Sequence, residues 1–178
     1  MRILAICGSL RARSSNRAAL EAARLLAPPP MAVELFEGLD ALPYFNPDQE
    51  AEAPPAAVLA WREAIGQADA LLICSPEYAR GVAGVLKNAL DWLVGAFEFP
   101  EKPVAVINAS QRAVHADAAL RLTLETMSAR LVAEASITVP LLGRNLDAAG
   151  IVADRELAVP LQDALGALQR FVVGEPTR

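Results

Sequence analysis

Residues 1–16 read MRILAICGSLRARSSN, and this stretch indicates the class of fold. The apolar run 3–7 is typical of a buried strand, and the loop 8–16 that follows is rich in hydroxyl and charged side chains. Beyond the loop, apolar residues recur at helical spacing over 16–27, until three consecutive prolines end the pattern. A strand, a polar loop and a helix in this order are typical of a βαβ unit.

The same alternation continues along the rest of the chain. It predicts further strands at 33–36, 70–74, 104–107 and 135–141, and further helices at 58–68, 84–94, 120–131 and 157–172. Residues 38–56 contain four prolines and are predicted to form an irregular surface loop. Five strands alternating with five helices predict an α/β fold, a doubly wound three-layer sandwich around a parallel sheet. No linker divides the chain, so residues 1–178 are expected to form a single domain.

Composition narrows the classes of function. Hydrophobic residues make up 54% of the chain and the formal net charge is −5, which favours a packed globule and argues against a broad nucleic-acid surface. No apolar run approaches the roughly 20 residues that cross a bilayer, and no signal peptide is recognisable. Cys7 and Cys74 lie in apolar runs, and we expect buried thiols rather than a disulfide or redox pair. These features predict a cytoplasmic protein without a membrane partner.

The loop 8–16 is a candidate anion site. In an open parallel sheet, ligands bind at the carboxyl ends of the strands, and the N–H groups of a helix N-terminus attract anions. The loop lacks the Gly-Lys-Ser ending of a P-loop and the three-glycine dinucleotide fingerprint. It predicts a site for a terminal phosphate monoester, or alternatively a surface turn in which a serine or asparagine only caps the helix. The donors that it offers are Ser9, Arg11, Arg13, Ser14, Ser15 and Asn16.

Two more loops follow predicted strands. Residues 75–84 contain Pro76 and two glycines, which can shape the backbone for a planar ligand, and Tyr78, which can form a flat wall. Alternatively, the charges at 77 and 80 are simply solvated. Residues 108–115 are polar and end on His115, the one histidine, which is expected to be structural. No residues have metal-ligand spacing or triad character, so neither a metal site nor hydrolytic chemistry is expected.

Three motifs together resemble one family. The loop 8–16, the tripeptide Pro-Glu-Tyr at 76–78 and the run LKNALDW at 86–92 resemble the NAD(P)H-dependent FMN reductases, which include chromate-, quinone- and azo-reducing members. The resemblance implies a flavodoxin-like fold with strand order 2-1-3-4-5 and noncovalent FMN, with NADPH or NADH as co-substrate. It implies a phosphate site at Ser9, Arg11, Ser14 and Asn16, and an isoalloxazine cradled by Pro76, Glu77 and Tyr78, largely through backbone groups. The predicted cofactor-binding residues also include Ser15, Ala79 and Ser110.

The resemblance also implies a mechanism and an assembly. The flavin would carry hydride from NAD(P)H to an acceptor, which could be free flavin, a quinone, an azo compound or a metal oxyanion, and no catalytic side chain is expected. A homodimer or homotetramer is expected, with the flavin near an interface. Ala79 replaces an asparagine found in many members, and loop 108–115 lacks their glycines. The alternatives are a flavodoxin-type electron carrier and a degenerate flavin-binding or sensing module.

Overall fold

A parallel sheet of five strands lies at the centre of the computed structural model, which describes residues 1–174. The elements in chain order are β1 (Arg2–Cys7), α1 (Ser15–Leu26), β2 (Ala32–Leu35), α2 (Pro47–Glu52), α3 (Ala56–Gln67), β3 (Ala70–Cys74), β4 (Glu77–Tyr78), β5 (Gly81–Val82), α4 (Gly84–Asp91), β6 (Pro103–Ile107), α5 (Val114–Thr126), β7 (Arg130–Leu131), α6 (Ala148–Ala153) and α7 (Arg155–Val173). The sheet order is β2-β1-β3-β6-β7. Counting only the five strands of this sheet, the order is the predicted 2-1-3-4-5.

Successive side chains of a strand point to opposite faces of the sheet, so the hydrophobic core is divided between the two faces. In β1, the side chains of Ile3, Ala5 and Cys7 pack with α1, α6 and α7, and those of Leu4 and Ile6 pack with α3, α4 and α5. Both faces are therefore covered by helices, which explains why the central strands read as continuous apolar runs. The parallel register pairs Cys7 with Cys74, so β1 and β3 end side by side. This shared edge is where the polar loops begin.

The fifth strand differs from its prediction at 135–141. The edge strand of the sheet is Arg130–Leu131, a 3₁₀ turn follows at Ala133–Ala135, and only one bridge, between Asn108 and Thr138, continues the pairing. The interruption is tolerated because the Ser136 hydroxyl accepts a hydrogen bond from the Val106 N–H at 3.1 Å. A side chain thus replaces one backbone partner of the ladder, which strand periodicity cannot reveal.

Three further details correct the predicted elements. Helix α5 ends at Thr126 rather than near residue 131, because the backbone turns at Ser128, whose φ is +65°. A short helix, α6, precedes the closing helix. The hairpin of β4 and β5 forms within the second loop.

Residues 38–56 are not irregular throughout. They contain a 3₁₀ turn at Leu39–Ala41 and the helix α2, whose N-cap Asn46 accepts the Asp48 N–H. The segment is held to α4 by Asn88, whose Oδ1 accepts the Phe45 N–H at 2.8 Å and whose Nδ2 donates to the Pro43 carbonyl at 2.9 Å. The ring of Phe45 also packs edge-on against Trp92. The four prolines therefore bend a segment that is packed onto the fold.

Candidate functional site

The carboxyl ends of β1, β3 and β6 bring the three polar loops around one cavity of about 380 Å³. It lies where open parallel sheets bind ligands. Nine of the ten predicted site residues line it: Ser9, Arg11, Ser14, Ser15, Asn16, Pro76, Glu77, Tyr78 and Ser110. The tenth, Ala79, is not among the lining residues. The lining also includes six residues that the sequence analysis did not select: Ser75, Asn108, Ala109, Arg112, Ala113 and Leu142.

The residues that were not selected differ in how visible they are from the sequence. Five of them belong to the two loops already identified at strand ends, so the order of elements in the sequence indicates them as site candidates: Ser75, Asn108, Ala109, Arg112 and Ala113. Leu142 follows the interrupted edge strand, 32 positions beyond the predicted Ser110. Nothing in the local pattern at residue 142 points to the cavity, because only the folded sheet brings that segment to the site.

Gly8 allows the first loop to pass close to the second. Its N–H donates to the Cys74 carbonyl at 2.8 Å, which continues the sheet pairing by one residue. A β-carbon at Gly8 would lie 2.6 Å from the Oγ of Ser75, 2.9 Å from its Cβ and 3.1 Å from its Cα. The lone glycine of the loop is therefore required by this close approach and not by an unusual backbone angle.

The first loop presents donors toward the cavity at the start of α1. Ser9, Ser14 and Asn16 are buried polar residues, whereas Arg11 is exposed at the cavity edge. The Ser14 hydroxyl accepts the Arg17 N–H at 3.4 Å and is the N-cap of the helix. Ser15 and Asn16 occupy the first two helical positions, whose N–H groups have no acceptor within the helix. Capping is therefore compatible with an anion site here, because the cap uses one N–H donor and leaves others available.

The side chain of Asn16 is hydrogen-bonded to Cys74. The fully buried thiol of Cys74 donates to the Asn16 Oδ1 at 3.2 Å and accepts a hydrogen bond from the Ala109 backbone. Burial raises the pKa of Cys74 well above its ordinary value, so the sulfur stays a protonated donor at neutral pH. This contact leaves the Asn16 amide nitrogen available as a donor. Cys7 and Cys74 are both free and buried, as predicted.

The second loop forms the hairpin β4–β5 and bears one wall of the cavity. Ala79 and Arg80 lie at its tip with φ of +50° and +60°, the backbone that a two-residue hairpin turn requires. Ala79 therefore turns the chain. The Tyr78 side chain is half-exposed and lines the cavity. Glu77, one of the two charges that could have been simply solvated, instead accepts two backbone hydrogen bonds with its Oε2, from His115 at 3.0 Å and Ala116 at 2.9 Å.

The third loop forms the opposite wall through an asparagine-based turn. Asn108 is buried, its Oδ1 accepts the Ser110 N–H at 3.0 Å, and its Nδ2 donates to the Ala113 carbonyl at 3.4 Å. Side-chain bonds of this kind let asparagine replace backbone partners in a tight loop. His115 is exposed and does not line the cavity. Within residues 1–174, no group of His, Cys, Asp and Glu could hold a metal ion.

The cavity fits a phosphorylated planar ligand. Hydroxyl, amide and helix N–H donors concentrate at its α1 end, and an arginine stands at the edge, which suits several oxygens of one phosphate. Between the hairpin and the third loop, the walls consist of Pro76, Tyr78, Ser110 and Ala113. Such mixed apolar and polar walls suit a flat ring system.

Known proteins share both the sequence and this architecture. The family described as NADPH-dependent FMN reductase matches residues 1–141. A protein from Pseudomonas aeruginosa, named NAD(P)H-dependent FMN reductase, is 38% identical over 177 residues, which cover 97% of this chain and 95% of the relative. A quinone reductase from Pseudomonas putida is 42% identical over 117 residues, 63% of this chain and 61% of its own length.

A solved structure agrees over almost the whole chain. The flavoenzyme NAD(P)H:(acceptor) oxidoreductase FerB from Paracoccus denitrificans has a TM-score of 0.83 at 28% identity, with 98% of each chain covered. The family match covers β1, β3, β6 and every residue that lines the cavity except Leu142, which follows the match by one position. The chain therefore belongs to the NADPH-dependent FMN reductase family.

Proposed function

We propose that the cavity at the ends of β1, β3 and β6 binds FMN, and that the protein uses it to oxidise NAD(P)H and reduce a small-molecule acceptor. Family membership carries the activity, and the convergence of nine predicted site residues on one cavity supports the location. When bound, FMN supplies the redox chemistry, accepting hydride from NAD(P)H and passing electrons on. The protein supplies binding, orientation and electrostatics.

The phosphate belongs at the start of α1 in this proposal. The hydroxyls of Ser9 and Ser15, the amide of Asn16 and the first helical N–H groups donate to its oxygens, and Arg11 adds charge. Ser14 contributes mainly through the helix that it caps. The helix dipole favours a dianion at this end, and that preference does not depend on any single side chain.

The isoalloxazine belongs between the hairpin and the third loop. Pro76, Tyr78 and Ser110 would contact the ring, and Ala79 acts through the turn that it forms. We propose no catalytic acid or base, since His115 is exposed outside the cavity lining and the Glu77 Oε2 is already bound to two N–H groups.

Substitution of the phosphate donors tests the site. Ser9→Ala and Asn16→Ala should each raise the Kd for FMN roughly tenfold to a hundredfold, because a hydrogen bond to a charged group is worth about 1.5–3 kcal/mol. Thr126→Ala, at the far end of α5, is the control and should leave the Kd unchanged. Quenching of flavin fluorescence measures the Kd. Unchanged FMN affinity in both site variants would contradict the assignment.

Stopped-flow absorbance tests the activity on the loaded protein. NADPH or NADH should bleach the bound flavin, and a quinone should restore its colour. The quinone is chosen because a relative bears the name quinone reductase. A flavodoxin-type carrier would keep its flavin oxidised after mixing with either nucleotide. A colourless protein that takes up no added FMN would indicate the degenerate binding module instead.

We further propose a homodimer or homotetramer in the cytoplasm. Tyr44, between two residues that contact Trp92, is 90% exposed, and Phe97, five positions after Trp92, is 97% exposed. Aromatic side chains left in water in this way are typical of interfaces. Free buried thiols suit a reducing compartment. No helix within residues 1–174 is long and apolar enough to cross a membrane. Sedimentation equilibrium of wild type and Phe97→Asp measures the assembly, which the charge should weaken.

A further inference from the structure

The Glu77 side chain joins two loops that lie far apart in the sequence. Its Oε2 accepts the N–H of His115 at 3.0 Å and of Ala116 at 2.9 Å, across 38 and 39 positions. Glu77 belongs to the hairpin β4–β5, and the two N–H groups belong to the first turn of α5. Within residues 1–174, these are the hydrogen bonds that connect the second loop directly to the segment after β6.

Helix α5 lacks a cap of its own. Its N-cap residue is Ala113, which has no side-chain oxygen, and no local side chain bonds to the first turn. His115 and Ala116 are the second and third helical residues, whose N–H groups an N-cap serine or aspartate would normally satisfy. Glu77 supplies the missing acceptor from a distance. Its negative charge also suits the positive end of the helix.

This connection lies between the two walls of the cavity. Pro76 and Tyr78 flank Glu77 on the hairpin, and Ser110 and Ala113 precede the capped turn on the other side. A carboxylate that binds both amides restricts how far the hairpin can move from α5. The space between these walls is where the proposed function locates the isoalloxazine, so the Glu77 carboxylate, together with the packing of β4 and β5 against α5, sets its width.

We propose that Glu77 is a positioning residue that caps α5 and thereby sets the gap that receives the isoalloxazine. The identification of the ring as isoalloxazine rests on the proposed function. The capping of α5 by Glu77 is independent of that function. Glu77 acts through the helix and the hairpin, and its carboxylate transfers no proton. Its loss should weaken binding of the ring end of the ligand and leave the phosphate end intact.

Two flavins separate the ends of the site. Glu77→Ala should raise the Kd for FMN and for riboflavin by a similar factor of about tenfold, because both share the ring. Ser9→Ala should weaken FMN and leave riboflavin unchanged. Glu77→Gln keeps an oxygen that can accept from α5, so it should restore most of the affinity for both flavins. Glu125→Gln makes the same change of charge at the other end of α5 and should behave as wild type.

Hydrogen exchange of the protein without added flavin reports on the cap directly. In Glu77→Ala the amides of His115 and Ala116 should exchange roughly 2- to 30-fold faster, the range given by the usual cost of a lost N-cap. Glu77→Gln should restore most of their protection. Wild-type protection of both amides in Glu77→Ala would overturn the cap.

The flavin measurements decide the second half of the proposal. If the amides lose protection while both flavins bind Glu77→Ala as tightly as wild type, the positioning role is overturned. If wild type itself binds neither flavin, the proposed function fails and the positioning role fails with it, while the exchange data still report whether Glu77 caps α5. The two failures are therefore distinguishable.

Discussion

Gly8 is the residue at which the backbone leaves the sheet and enters the site. The nearest atoms of Ser75 include its backbone Cα, which cannot move aside by rotating a side chain. The same backbone segment continues into Pro76 and the hairpin. The first and second loops can therefore lie this close together because residue 8 has no β-carbon.

Gly8→Ala should therefore disturb both stability and FMN binding. A β-carbon 2.6–3.1 Å from three Ser75 atoms forces a backbone shift, which typically costs about 1–3 kcal/mol of unfolding free energy. We expect FMN affinity to fall at least tenfold, measured by fluorescence quenching. Gly84→Ala is the matched control, because a β-carbon there meets nothing within 4 Å. The control should be neutral or slightly stabilising, and equal effects of the two changes would refute the steric argument.

Ala79 shows how a departure from a family motif can act on the backbone. With φ at +50°, it occupies the left-handed region that favours glycine and asparagine. The resemblance to the family predicts that residue 79 contacts the flavin. Its place at the hairpin tip gives it a conformational part in the site, and the hairpin residues that line the cavity, Glu77 and Tyr78, precede the turn.

At the scale of elements, α4 anchors the proline-rich segment. Both polar groups of the Asn88 side chain bind backbone atoms of that segment, and the Trp92 Nε1 donates to the Pro43 carbonyl at 2.8 Å. The run LKNALDW at 86–92 thus has a structural use in this chain. Its polar and aromatic side chains hold a segment that has few backbone partners of its own.

Asn88→Ala should loosen this segment. The Phe45 N–H loses its acceptor, and an unsatisfied, partly buried donor costs about 1–3 kcal/mol. Urea denaturation should show that loss, and limited proteolysis should cleave within 43–50 faster than in wild type. Lys87→Ala removes only the exposed pair with Asp91 and should change stability by less than about 0.5 kcal/mol. A proteolysis pattern identical to wild type in Asn88→Ala would count against the anchor.

An ion pair whose contribution to stability depends on pH connects helix α1 to the loop after β2. Arg17 bonds to Glu21 and Glu37, and its hydrogen bond lowers the pKa of Glu37 below the ordinary value of 4.5. A carboxylate with a lowered folded-state pKa stabilises the protein above pH 4.5, and that contribution is lost as the pH falls through the lower value.

The difference in unfolding free energy between wild type and Glu37→Gln should follow this pattern. Because Glu37 is largely exposed, we expect roughly 0.2–1 kcal/mol at pH 7, which should shrink toward zero as the pH falls below 4.5 and through the lowered pKa of Glu37. Denaturant unfolding monitored by circular dichroism at several pH values measures it. A difference that stays constant over the whole acid range in which the protein remains folded would mean that the pair contributes nothing through its charge.

At the scale of the whole molecule, the two central strands are closed to solvent. Cys7 and Cys74 end neighbouring strands and belong to the core on the α1 and α7 side of the sheet. Burial raises the pKa of both thiols. Access to the sulfur of Cys74, which is fully buried, requires these strands to open, and opening of central strands approaches global unfolding. Cys7 lies at the end of β1 beside a surface cavity, and its raised pKa keeps it in the unreactive protonated form.

Both thiols should therefore be inert in the native protein. Since the thiolate is the reactive form, the thiol reagent DTNB should react negligibly at pH 8, and it should titrate both cysteines in denaturant. Raising the pH to 9 should still leave both thiols mostly protonated in the native protein, because burial raises the pKa of each above 9.0. Rapid native reaction of one cysteine would reveal an opening that the fold does not predict.

The sequence by itself determined the sheet, its helices and the polar loop between β1 and α1. Each depends on short-range patterns: apolar runs such as 70–74, helical spacing over 16–27, and polar residues at the end of a strand. The predicted strand at 135–141 and the helix continuing to 131 failed where tertiary structure overrode the pattern. There a serine hydroxyl replaces a ladder partner, and a residue with positive φ ends the helix.

Only the tertiary structure decided how the loops meet. Four contacts join residues that are distant in the chain. Gly8 lies against Ser75, the Cys74 thiol donates to Asn16, Leu142 lines the cavity, and Glu77 caps α5. Local spacing reports which side chains share one strand or helix face. Contacts between loops depend instead on the order and register of the strands, which place the ends of β1, β3 and β6 at one edge of the sheet.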